Sequence, residues 1–318
     1  MNPNSLQSRP QGELRPTSGV EPMNATAAGL TLLTAAFWGG TPVAIQYSVD
    51  VFPPIAVAGI RFAMAFAFML AWCWFERSDL LPRKGQWGPP LIAGVMLFFQ
   101  ISLFNMGIEK SNSSHGTLLI NTFVFWVAAI EHFITRAHLL TGRRILGLLT
   151  AALGVAIVFA SVLAGAALGD TSVRDVPTLL GDVYLAASGL VLAFKIVYTK
   201  YAVTRVEPGK LILWHDLFGV VFFAIASLAV EEVHWNRIDT PAMLALLYQG
   251  VVVAGFCFAV QARLLRRHPA SQIAVYSFAT PLFGVAAGIV FRGDALTVWL
   301  LAAAACVAVG VYVVNTSD

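Results

Sequence analysis

Polar residues interrupt this chain at regular intervals and leave ten apolar runs between them. They lie near 27–48, 55–75, 89–108, 115–135, 145–164, 179–199, 210–230, 242–262, 270–291 and 296–314. Each is long enough to cross about 30 Å of hydrocarbon at about 1.5 Å per residue. In lipid an isolated strand leaves its backbone groups unpaired, so runs of this length predict helices. The links are short, which makes successive helices antiparallel. Asp50 to Pro54 joins the first pair, and Glu109 to Ser114 joins the third to the fourth. The longest link, Gly165 to Pro177, is rich in Gly, Asp, Ser and Pro.

The pattern repeats itself once. Residues 85–161 shifted forward by 156 positions bring Gly94 onto Gly250, Leu140-Thr141 onto Leu296-Thr297 and Gly154-Val155 onto Gly310-Val311. The turn Arg136-Ala137-His138 then falls on Arg292-Gly293-Asp294. With Pro54 set over Pro208, Arg61 falls near His215. Five helices per repeat is an odd number, so the second repeat enters the bilayer from the opposite side. Inverted repeats of this kind build secondary transporters, because a site between opposed halves can open to either face.

Composition agrees with lipid as the solvent. Of 318 residues, 58% are hydrophobic and 12% charged, and the mean hydropathy is +0.75. A soluble domain carries about 25% charged residues. Cys73, Cys257 and Cys306 stand singly inside apolar runs, a spacing that suits neither a disulfide framework nor a metal site. The first 26 residues are polar and lack the apolar core of a signal peptide. They read as a disordered cytoplasmic tail, followed by repeats over 27–164 and 179–318 and an extracytoplasmic linker over 165–178.

Charge sets the expected orientation. With the N-terminus inside, fourteen of the 20 lysines and arginines fall in inner segments, four in outer segments, and Arg61 and Lys195 within spans. The inside-positive rule therefore places both termini in the cytoplasm, in a multi-pass protein of the cell (inner) membrane. The basic run Arg263, Arg266, Arg267 and His268 belongs to the same signature and is not a nucleic-acid patch.

Several motifs then resemble a known family. Trp38-Gly39-Gly40, Pro53-Pro54 before Arg61-Phe62, Pro269-Ala270-Ser271 leading to Pro281-Leu282-Phe283, and Arg292-Gly293-Asp294-Ala295-Leu296-Thr297 are similar to the EamA family of the drug/metabolite transporter superfamily. The resemblance implies an all-α membrane protein with ten transmembrane helices arranged as two inverted five-helix EamA-type repeats. It also implies carriage of small metabolites, often amino acids and often outward. Asp294 stands where the family usually has Glu, and Phe125 where the second repeat has Pro281.

Ionisable groups at mid-bilayer cost roughly 2.5–3.5 kcal/mol each on insertion scales and need a reason. Counting along the runs puts Glu131, His132, Lys195, His215 and Asp216 in the cytoplasmic third, and Arg61 alone near the outer face. They are candidates for gating or charge coupling; the plain alternative is that the long side chains snorkel to the interface. A neutral layer of Trp38, Thr41, Gln100, Asn121, Trp126, Gln249, Tyr276 and Ser277, with Ser188, is the candidate substrate-binding set. Amides and hydroxyls also hold helices together, at about 0.6 kcal/mol each. Gly39, Gly40 and Pro42 interrupt the first helix, and Pro281 the ninth; both are candidate hinges or simply close-packing points.

No catalytic constellation, metal-spaced histidine cluster, phosphate loop or ATP-binding motif is evident, and no cofactor is expected. The expected partners are a small-molecule substrate and the lipid bilayer. The leading expectation is a secondary transporter working by alternating access, most often for amino-acid or related metabolite export. A sugar or nucleotide-sugar carrier and a membrane-embedded enzyme are the alternatives. Arg61 and Lys195 at opposite depths speak against the phosphate-bearing cargo.

Overall fold

A computed structural model describes residues 24–77, 79–130, 133–134, 142–168, 176–233, 239–267 and 279–315. Among them there is helix and no strand. The first run is two helices, α1 (Ala25–Gly39) and α2 (Thr41–Val49). Asn24 caps α1 by accepting the N–H of Ala27 at 2.8 Å. Pro42 has no N–H to give Trp38, so the ladder breaks there. The carbonyl of Phe37 instead accepts the hydroxyl of Tyr248 at 2.6 Å.

Next come α3 (Pro54–Phe75) and α4 (Gly88–Glu109), each with proline in its first turn, where a missing N–H does no harm. The fourth apolar run is not one rod. It divides into α5 (Ser113–Ile120) and α6 (Phe123–Ile130). Asn121 donates to the Thr117 carbonyl and Thr122 to the Leu119 carbonyl, both at 2.7 Å. Such side chains compete with the backbone for helical carbonyls. Helix α7 (Gly142–Leu168) runs past Gly165, where the sequence suggested a linker.

The second half holds α8 (Leu179–Ala202), α9 (Pro208–Val230) and α10 (Thr240–Leu247). Wider π-helical turns over Tyr248–Cys257 lead into α11 (Phe258–Arg267). Helix α12 (Thr280–Ala287) also widens, over Gly288–Arg292, and α13 (Val298–Asn315) closes the described chain.

Among the described residues, six helical stretches are long and apolar enough to span a membrane: 25–49, 54–75, 88–109, 179–202, 208–230 and 240–261. Shorter apolar helices cover 145–158, 280–292 and 298–310. Large apolar side chains such as Leu149, Ile225, Leu228 and Phe291 point outward and are mostly exposed. A soluble protein rarely shows so broad an apolar surface. The chain is a multi-pass membrane protein.

The helices of the two halves interleave. Helix α3 packs on α9, α4 on α8 and α9, and α7 on α13. Glycines permit the closest approaches. A Cβ on Gly94 would stand 2.7 Å from the Cβ of Phe218 and 3.2 Å from the His215 carbonyl. A Cβ on Gly250 would stand 2.5 Å from the Cβ of Met64 and 3.1 Å from the Arg61 carbonyl. The residues paired by the repeat, Gly94 with Gly250 and Arg61 with His215, thus make the same contact in both directions. Around it Phe62, Leu97, Ile101 and Phe223 form a buried apolar cluster.

Candidate functional site

Four buried ionisable side chains lie within electrostatic range of one another around this contact. Arg61 lies on α3, Lys195 on α8, and His215 and Asp216 on α9. Their exposures are 4, 8, 6 and 2%, so none of them snorkels to lipid. Asp216 is within electrostatic reach of both cations, and Lys195 within reach of Arg61. Along the helix axes the Cα atoms of Arg61 and Lys195 differ in level by about 14 Å at about 1.5 Å per residue. Arg61 is nonetheless not alone, since Lys195 and Asp216 are within electrostatic reach of it, which weakens the objection to a phosphate-bearing cargo.

The centre is charged but incompletely bonded. His215 Nδ1 contacts Asp216 Oδ1 at 2.9 Å. Neither Arg61 nor Lys195 forms a direct ion pair with Asp216 among the described residues. Arg61 Nε and Nη1, His215 Nε2 and Asp216 Oδ2 are buried without a hydrogen-bond partner. Leaving such groups unsatisfied costs free energy each time. The Phe62 ring meets the edge of His215 at 6.5 Å and stacks on Phe223 at 5.8 Å, giving the centre an aromatic wall.

A second polar network ties the helix ends together at the side that the charge count puts outside. Gly293, at φ 71°, ends the π-helical turn after α12, a left-handed conformation that suits glycine. That turn aims Asp294 at the start of α5. Its Oδ2 accepts the Ser113 hydroxyl at 2.8 Å, the Ser114 hydroxyl at 2.6 Å and the Ser114 N–H at 2.9 Å. Ser113 N–H donates to Gln46 Oε1 at 3.0 Å. Asp182 on α8 accepts from Ser111 at 2.7 Å and meets His115 Nδ1 at 3.0 Å. Arg292 pairs with Asp50 at 2.7 Å and lies over the Tyr47 ring. A shallow cleft of about 260 Å³ opens beside this network, between Gln46, Asp50, Ile108, Lys110 and Thr178.

The neutral residues singled out in the sequence are dispersed. Gln100 and Ser188 bond each other across α4 and α8, at 3.1 and 2.9 Å. Gln249 Nε2 donates to the Ala44 carbonyl and to Ser48 Oγ. Asn121 and Thr41 bond within their own helical stretch. Trp38 meets Phe258 edge-on at 6.0 Å, and Trp126 is exposed. Gly39 packs on α12, where a Cβ would stand 2.8 Å from the Cβ of Phe283. Gly40 faces the Tyr248 hydroxyl, and Pro281 lies in the first turn of α12. Tyr276, Ser277, Glu131 and His132, and the Arg136 turn, lie outside the described residues.

Sequence reading missed Gln46, Ser111, Ser113, Ser114, His115 and Asp182. The run Ser111-Asn112-Ser113-Ser114-His115 reads as an ordinary polar loop. Its partners stand 67 to 181 residues away, beyond the reach of any local pattern.

The sequence profile of the EamA-like transporter family matches residues 25–160 and 179–316, once for each half. The chain belongs to that family. Its EamA repeats thus coincide with the two interleaved sets of helices. An uncharacterized transporter of Archaeoglobus fulgidus is 24% identical over 267 residues, 82% of this chain and 87% of the relative. A probable amino-acid metabolite efflux pump of Salmonella typhimurium is 25% identical over 290 residues, 89% of this chain and 93% of the relative. Its counterpart of the same name in Escherichia coli is 24% identical over the same span. A solved crystal structure, 17% identical, superposes with a TM-score of 0.66 over 93% of this chain and all of its own. The EamA chain is a membrane transporter of small metabolites.

Proposed function

We propose that this EamA protein exports amino acids or related metabolites by alternating access. Ten membrane crossings form two inverted five-helix repeats, over 27–164 and 179–318. The residues between α7 and α8 link them on the extracytoplasmic side, and both termini face the cytoplasm from the inner membrane. Inversion is supported by α2 ending, and α8 beginning, at the same end of the bundle, where Arg292 meets Asp50 and Thr178 bonds Lys110. The outward direction and the amino-acid cargo rest on the names of the relatives.

The observation that carries the reading is the reciprocal contact at Gly94–His215 and Gly250–Arg61. It supports a charged, incompletely bonded centre between the repeats, where rocking would expose it to each side in turn. The network around Asp294 closes one end of the bundle and opens in the other half of the cycle.

Efflux from proteoliposomes loaded with labelled amino acids tests this. Time-dependent, saturable release of at least one amino acid above empty liposomes is expected. Release of a nucleotide sugar and of no amino acid rejects the cargo. Absence of release of any solute rejects export.

A further inference from the structure

We infer that Arg61, within electrostatic range of Lys195, is the docking point for the carboxylate of the transported molecule. The inference deepens the transport reading and rests on it for the word transported, but its chemistry is argued from the centre itself. Arg61 offers two buried guanidinium nitrogens with no partner. A guanidinium presents its donors in a planar fork that matches a carboxylate. The described centre holds two cations against one carboxylate, with His215 paired to that carboxylate. It therefore lacks one negative charge and at least two acceptor atoms. A monocarboxylate supplies both at once. A phosphate dianion overshoots the charge, and a neutral alcohol or amide supplies acceptors without charge.

A simple carboxylic acid answers the charge deficit fully; an amino acid brings the same carboxylate with an ammonium that cancels its net charge, so it fits only by setting that ammonium against Asp216. Asp216 Oδ2 is buried and unbonded, an acceptor for an ammonium group. The buried rings of Phe62 and Phe223 make the surroundings of these unbonded atoms apolar. Carboxylate recognition at Arg61 is common to amino acids and simple carboxylic acids; occupation of Asp216 Oδ2 is peculiar to the former.

Arg61 Nε and Nη1 bond no protein acceptor, and the guanidinium lies 5.2 Å from the centre of the Phe62 ring. Removing the guanidinium leaves the centre neutral, with Lys195 against Asp216. Folding therefore survives the change better than ligand binding does.

Calorimetric titration of the purified full chain in detergent tests the assignment. The probes are the standard L-amino acids and, for the tightest of them, its deaminated acid, its amide and its decarboxylated amine, with inorganic phosphate alongside. The deaminated acid is expected to bind measurably, and the amide and amine about tenfold to hundredfold more weakly than the amino acid, as loss of a charged hydrogen bond requires. Arg61→Gln is expected to remove the preference for the acid over the amide. Arg61→Lys, which keeps charge without the fork, is expected to restore part of it. An amide or amine that binds as tightly as the amino acid overturns the assignment, as does phosphate as the tightest probe or an Arg61→Gln protein with undiminished acid preference. Acid-selective binding without efflux from proteoliposomes leaves this inference standing and rejects transport. Efflux without acid preference does the reverse.

Discussion

Two polar regions of this molecule are buried to similar depth and bonded to different degrees. At one end of the bundle Asp294 takes three donors and Asp182 takes two. At mid-bundle Arg61, His215 and Asp216 keep four buried atoms without partners. A satisfied network in a medium without water fixes helices relative to one another. An unsatisfied one raises the free energy of the empty state and is relieved by whatever brings the missing atoms. The first region is bonded as a structural tie, and the second is the proposed working centre.

The contrast breaks most readily at the centre. Lys195→Met takes one cation from a centre that has one too many, and should cut efflux about 10²-fold with the unfolding temperature in detergent unchanged or raised. A lowered unfolding temperature with efflux retained would move Lys195 into the structural class. At the other region, Asp294→Ala leaves two serine hydroxyls and a backbone N–H without their acceptor. It should cost about 2 kcal/mol of stability, seen as earlier thermal unfolding, while amino-acid binding is kept. The reciprocal contact itself can be tested by overpacking. Gly94→Leu and Gly250→Leu each force a side chain into an adjacent helix and should destabilise by roughly 1–2 kcal/mol, to a similar extent. If one were neutral, the two halves would not share the contact. The smallest effect belongs to the pair across α4 and α8: Gln100→Leu with Ser188→Ala should shift stability by about 0.6 kcal/mol.

Much of the architecture was readable because a membrane leaves few choices. Apolar length, short links and the doubled punctuation of Gly94, Gly154, Gly250 and Gly310 sufficed for the helices and the repeat. The break at Asn121-Thr122 escaped, because Asn and Thr take backbone carbonyls without altering apolarity enough to mark a boundary. The charged residues of the centre were all picked out, but their levels were counted along Cα atoms. That count could not show that Arg61 and Lys195 lie within electrostatic reach of each other and of Asp216. The Asp294 network stayed hidden for a different reason. Its members are commonplace polar residues at helix ends and turns, and what joins them is tertiary proximity, across more than half the chain for Asp294 and Ser113.

The most direct test pairs two readings on one variant. Arg61→Gln should unfold at the same temperature as the wild-type protein or higher, and should lose amino-acid efflux from proteoliposomes by about 10²-fold. A variant that unfolds earlier yet exports at the wild-type rate would make Arg61 a structural strut, and the charged centre would no longer be the place where cargo binds.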